Sequence, residues 1–183
     1  MLRFCASDRD LDKITCRLYL TVCPLCSRVG TLILHDWLHG YADDDTGLRV
    51  CRGRRVLCTN RRKRHPGCGH TFSIWFVETI RRSRLSTPKL WAFIKNVLRF
   101  GNKANALRAL KTGLSASAAY RIWKRFIYRQ SYIRTALAMH HLPPRPGRSR
   151  QPVEETIEYL VAAFPDACNP LTAFQEQFQI AFL

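Results

Sequence analysis

The chain has 183 residues, with 30 Lys or Arg against 13 Asp or Glu, a formal net charge of +17 and a pI near 10.2. That length admits one compact domain, or two small ones with a tail. A hydrophobic content of 46% excludes wholesale disorder, and no apolar run reaches the about 18–20 residues that cross a bilayer. The charge is unevenly spread: residues 79–150 carry seventeen Lys or Arg and no Asp or Glu, whereas residues 151–183 carry five acidic groups and no basic one. Soluble surfaces intersperse both signs to relieve self-repulsion, so a long segment of one sign points to a polyanion, and hence to nucleic acid.

The opening MLRFCASDRDLDK puts charges where a signal peptide has its apolar core, so no export signal is expected. Without export, the eight cysteines favour metal binding over disulfides. The expected location is the bacterial cytoplasm, in association with the nucleoid. Residues 14–22 (ITCRLYLTV) mix β-branched and aromatic residues and read as a strand. Cys5 and Cys16 have no partner in spacing and read as small buried or surface residues.

Cys23-Pro24-Leu25-Cys26 is a turn that brings two thiolates to one metal ion, half of a tetrahedral site. Cys58 and then Cys68-Gly69-His70 follow as a second, stretched knuckle, with nine residues between its cysteines. Residues 30–41 and 48–59 read as short antiparallel strands, with turn signals at Gly40 and over residues 43–47. Two knuckles on a small β-meander describe a zinc ribbon spanning residues 1–80. His35-Asp36-Trp37-Leu38-His39 has the outline of a zinc-protease motif, but it lies between strand-like segments rather than on a helix and reads as part of a hairpin. Arg49–Arg64 holds eight basic residues and no acidic one, with Arg54 and Arg55 on a strand and Arg61, Arg62, Lys63 and Arg64 on the bulged loop. All six are candidate phosphate contacts.

Residues 71–79 read as a further strand. A helix then starts with Thr87 as N-cap and Pro88 at its first position, has an apolar stripe of Leu90, Trp91, Ile94, Val97 and Leu98, and stops at Gly101-Asn102. A second helix covers residues 103–111. Gly113 supplies the permissive backbone of a tight turn, and Ser115 caps a third helix. That helix has an apolar face of Ala119, Ile122, Trp123, Phe126 and Ile127 and an opposite face of Ser117, Arg121, Lys124, Arg125 and Tyr128. This is the layout of a recognition helix in a helix-turn-helix covering residues 81–142, with Ser115, Ser117, Tyr120, Arg121, Lys124 and Arg125 as candidate DNA contacts. Residues 143–152 form a Pro- and Arg-rich linker. Residues 153–183 form an acidic tail of two amphipathic stripes, one of Ile157, Leu160, Val161 and Phe164, the other of Leu171, Phe174, Phe178 and Ile180. The tail either packs back on the helices, masks the basic surface, or binds a partner.

The string Cys-Pro-x-Cys, a Gly-Arg-Arg strand ending in Cys58, and Cys68-Gly69-His70-Thr71-Phe72-Ser73 resembles the zinc ribbon of insertion-sequence transposases and their DNA-binding partner proteins. In those proteins a Cys-Gly-Arg-Thr-Phe-Ser ending precedes a helix-turn-helix; the resemblance spans roughly residues 21–130. It implies an α+β chain with one structural zinc ion held by Cys23, Cys26, Cys58 and Cys68, His70 or Cys51 being the alternatives for one thiolate. It also implies double-stranded DNA as the partner, a transposase or integrase reached through the tail, and no membrane or small-molecule substrate. The expected role is non-catalytic, as transposition accessory factor or transcriptional regulator. Two other classes compete: a small transposase or recombinase, and a ribbon that binds RNA. Two-metal strand transfer needs convergent carboxylates, which residues 79–153 lack, and no ordered His and Arg set accompanies Tyr120, Tyr128 and Tyr132.

Overall fold

A computed structural model describes residues 4–61, 66–144 and 151–183. The chain forms two compact units, one comprising the described residues up to Tyr41 together with Leu48–Thr79, the other Ala42–Gly47 with Ile80–Leu183. Strands are confined to the first and long helices to the second, an α+β arrangement of one four-stranded sheet and six helices among the described residues. Among those residues, no helix is long and apolar enough to cross a membrane.

In the first unit, β1 (Phe4–Cys5), β2 (Leu32–Tyr41), β3 (Arg49–Cys58) and β4 (Thr71–Phe76) lie in the order β1-β4-β3-β2. The β1–β4 pairing is parallel and the other two are antiparallel. The segment expected as a strand over residues 14–22 is instead the end of helix α1 (Asp8–Cys16) and a 3₁₀ turn at Leu18–Leu20. Local capping outweighs β-branching there. The Ser7 hydroxyl oxygen accepts from the Asp10 amide at 3.2 Å, and Asp10 accepts from Lys13 at 3.0 Å, one turn on. Ile14 packs against Leu11, Leu18, Leu32, Val56 and Ile74 in a small core shared with Cys5, Cys23 and Cys58.

The second unit begins with α2 (Thr87–Phe100), capped by Ser86 rather than Thr87, with Pro88 in its first turn and Gly101 closing it in the left-handed region. Next come α3 (Lys103–Arg108), α4 (Ala116–Ala138), α5 (Pro152–Ala163) and α6 (Pro170–Phe178). Gly113, between α3 and α4, has φ +62° and faces the Cα of Asp45. The turn over residues 43–47 is held here. The Asp43 carboxylate accepts from the Ser86 amide and hydroxyl and pairs with Lys89 at 3.5 Å, while Arg84 donates to the carbonyls of Ala42 and Asp44.

The tail is part of this unit's core, not a separate segment. Phe182 is fully buried, stacked on Phe126 with ring centroids 6.0 Å apart and edge-on to Phe174 at 5.6 Å. The buried side chain of Gln175 accepts from the Phe182 amide at 2.9 Å, and the Tyr159 hydroxyl donates to the His141 carbonyl at 2.5 Å. Arg134 donates to the Pro152 carbonyl and the Thr156 hydroxyl, and Arg129 to the Ala181 carbonyl. On α5 the inward side is Val153, Thr156, Tyr159, Leu160 and Ala163, with Val161 turned out. Most of the expected linker, residues 145–150, lies outside the described residues.

Because these aromatic rings fill one core, Phe174→Ala should destabilise the helical unit by about 3–5 kcal/mol, read as a lowered urea midpoint. Truncation after Pro152 should lose folded helix content beyond the deleted residues by circular dichroism. An unchanged unfolding transition for either variant would contradict this packing.

Candidate metal centre

Four cysteines from three places in the sequence meet at one point. Cys23 and Cys26 sit on a turn closed by hydrogen bonds from the Ser27 amide to the Cys23 carbonyl and from the Cys23 amide to the Arg28 carbonyl, both 2.9 Å. Cys58 ends β3. The chain returns beside it, with the Cys58 amide donating to the His70 carbonyl and the Gly69 amide to the Cys58 carbonyl, and this places Cys68 against the first turn. The Sγ atoms of Cys23, Cys26, Cys58 and Cys68 all lie within 4.8 Å of one another, with Cys23 to Cys68 at 3.9 Å and Cys26 to Cys58 at 3.7 Å. A tetrahedron with metal–sulfur bonds of about 2.3 Å has edges of about 3.8 Å. The four thiols therefore fit one tetrahedral metal ion, and all four positions come from protein.

Among the described residues this is the one such grouping of ligand atoms. Cys51 and His70 are both exposed and outside it; His70 instead places Nδ1 3.0 Å from the Cys68 carbonyl. His35 and His39 lie exposed on strand β2, not on a helix.

The surroundings tune the thiols. Burial pushes Cys23 up to about 11. Burial also opposes ionisation of Cys58, but hydrogen bonds from the Thr31 hydroxyl, the Cys68 amide and the neighbouring thiols outweigh it, and its pKa falls to about 7. Thr31 is fully buried, with Oγ1 3.1 Å from the Cys58 sulfur and its carbonyl accepting from the Thr59 amide at 2.8 Å. Gly67 is the second residue that sequence reasoning passes over. A Cβ there would stand 2.4 Å from the Cys58 sulfur and 2.7 Å from the Thr59 carbonyl oxygen, so the knuckle closes only over glycine. Neither residue is a ligand, and the only signal in the sequence is proximity to one.

The candidate DNA contacts divide between the units. In the first, Arg54 lies half-buried with its guanidinium 3.8 Å from the Trp37 ring centroid, whereas Arg55 and Arg61 are exposed. Arg62, Lys63 and Arg64 lie outside the described residues. In the second, Ser115, Ser117, Tyr120, Arg121 and Lys124 are exposed at the start of α4, with the Ser115 hydroxyl 2.9 Å from that of Ser117 rather than capping the helix. Arg125 turns aside and donates to the carbonyls of Arg81 at 3.1 Å and Arg82 at 3.4 Å. Burial, together with the nearby Arg82 and Arg129 charges, lowers its pKa.

A metal must displace the thiol protons, so affinity should fall as pH drops, and more steeply below about 7, where Cys58 also gains its proton. Titration with a metal-sensitive dye should show one ion per chain. Thr31→Val should weaken binding by about 10–100-fold, the range for loss of a hydrogen bond to a ligand, and Gly67→Ala by at least as much. Wild-type affinity in both variants, or a pH-independent affinity, would refute the assignment.

Comparison of the chain with family models, curated proteins and solved structures gives no match.

Proposed function

We propose that this chain is a non-catalytic DNA-binding protein of a mobile genetic element, acting as a transposition accessory factor or a transcriptional regulator. In this reading the first unit is a zinc ribbon. Four thiolates with no open position suit a structural Zn²⁺ that contributes folding energy rather than chemistry. In the second unit, α2, α3 and α4 act as a helix-turn-helix with α4 as the recognition helix. The observation that carries the reading is the exposed start of α4: Ser117, Tyr120, Arg121 and Lys124 share an outward face within a 79–150 segment that has no acidic residue.

On this reading Arg121 and Lys124 reach base edges, and Arg55 and Arg61 contact phosphates. Arg54, stacked on Trp37, and Arg125, bound to backbone carbonyls, contribute mainly by shaping their surfaces. The acidic outer side of α5 and α6, with Glu154, Asp166 and Glu176 exposed, is the place where a transposase or integrase would dock. The site of action would be the nucleoid.

Neutralising about six to eight phosphates gives a slope of log affinity on log salt of about −5 to −7, measurable by fluorescence anisotropy on duplex DNA. Arg121→Ala should cost about 1–3 kcal/mol and relax the preference for one base pair. Arg125→Ala should instead lower the unfolding temperature. A salt-independent affinity, or loss of sequence preference on Arg125→Ala alone, would overturn the reading.

A further inference from the structure

Beyond its N-terminal turns, α4 keeps two outward aromatic rings that reading base edges does not use. Tyr128 and Tyr132 are 74% and 45% exposed. Buried aromatic rings are a major source of stability, so two rings turned outward on one helix of a cationic segment leave apolar surface for an occupant. Each has a cation over one face of its ring, Lys124 5.7 Å from the Tyr128 centroid and the Arg129 guanidinium 4.2 Å from that of Tyr132.

Position along the helix separates this row from the recognition residues. At about 1.5 Å per residue, Tyr128 and Tyr132 lie about 18 Å and 24 Å beyond Ala116. A recognition helix touches bases with its N-terminal residues in a major groove about 12 Å wide. The two distal tyrosines therefore lie past the reach of paired bases. One helical turn apart, they are separated along the axis by about 6 Å, so both rings serve one stretch of strand.

We propose that the distal half of α4 is a stacking platform for unpaired bases of DNA, with Tyr128 and Tyr132 as the stacking rings. The occupant follows from charge complementarity: aromatic rings interleaved with cations, on a segment without carboxylates, suit a strand whose bases are free to stack. This assignment rests on the DNA-binding reading and adds a substrate class to it, namely DNA that is locally melted or single-stranded. No bond is made or broken on the platform.

The test compares two probes on the full-length, zinc-loaded chain: a paired duplex, and the same duplex with a short central bubble of unpaired thymines. The parent protein should prefer the bubble. Joint substitution Tyr128→Ala and Tyr132→Ala should lower bubble affinity by about tenfold or more, since each stacked base is worth about 1–3 kcal/mol, and leave duplex affinity within about twofold. Joint Tyr128→Phe and Tyr132→Phe should keep the preference, because stacking needs the ring and not the hydroxyl. Circular dichroism checks that the helix survives, and Tyr128→Ala alone serves if the pair does not fold. Equal binding of the two probes by the parent, equal loss on both probes in the alanine variant, or loss in the phenylalanine variant would each overturn the platform. If the parent binds duplex with the expected salt slope and shows no bubble preference, the platform fails and the DNA-binding reading survives. If it binds neither probe, both fail.

Discussion

The first unit depends on the distances among four sulfur atoms. Its buried core has eight described members, and two of them, Cys23 and Cys58, belong to the thiol cluster itself. Its β1 strand is two residues long, and much of the apolar surface around the first knuckle, including Leu20, Leu25 and Val29, stays exposed. A core so small supplies little of the free energy needed to order the chain, and small scaffolds of this kind need a staple. A metal ion held by the thiol cluster would provide one, because the cluster joins the segment before β2, the end of β3 and the approach to β4 at a single point. Thr31 and Gly67 shape that point, one through a hydrogen bond to sulfur and the other by having no side chain to obstruct it.

The second unit is organised differently. Its core draws buried apolar residues from Ile80 through to Phe182. The long helix α4 is its axis, and the tail closes over it. With no carboxylate between residues 79 and 150, the guanidinium groups of Arg125, Arg129 and Arg134 find backbone carbonyls instead of acidic partners. Each ties a separate stretch of chain to α4. Basic residues on one helix thus divide into a partly buried group bonded to backbone carbonyls and an exposed group that includes Arg121 and Lys124. A helical-wheel reading puts Arg125 on the face of Arg121 and Lys124; its guanidinium is bonded to the carbonyls of Arg81 and Arg82.

What could be read from sequence follows the range of the interactions concerned. The hairpin strands, the extent of α2 and the first pair of clustered cysteines are legible because alternation, Pro88 and Gly101 at the helix ends, and Cys-x-x-Cys spacing are local signals. Residues 14–22 have the β-branched composition of a strand, but the Ser7–Asp10–Lys13 capping pattern just before them starts a helix. An amphipathic stripe shows that a face of the tail is buried and not against what, so its place in the core is set by contacts that the stripe does not carry. On α5 the stripe includes Val161, while Thr156 and Tyr159 take the inward places through bonds to Arg134 and His141, contacts that join distant positions. The anchoring of Asp43 by Ser86 and Lys89 likewise joins positions far apart in the chain.

The most direct test of this account is amide hydrogen exchange on the full chain before and after metal removal by a strong chelator. Exchange reports local opening free energies residue by residue, and a metal-stapled segment loses its order with its ion. The account predicts that β2, β3 and β4 lose protection on metal removal while α2, α4 and α6 keep theirs. Protection retained in the strands of the metal-free protein would contradict it.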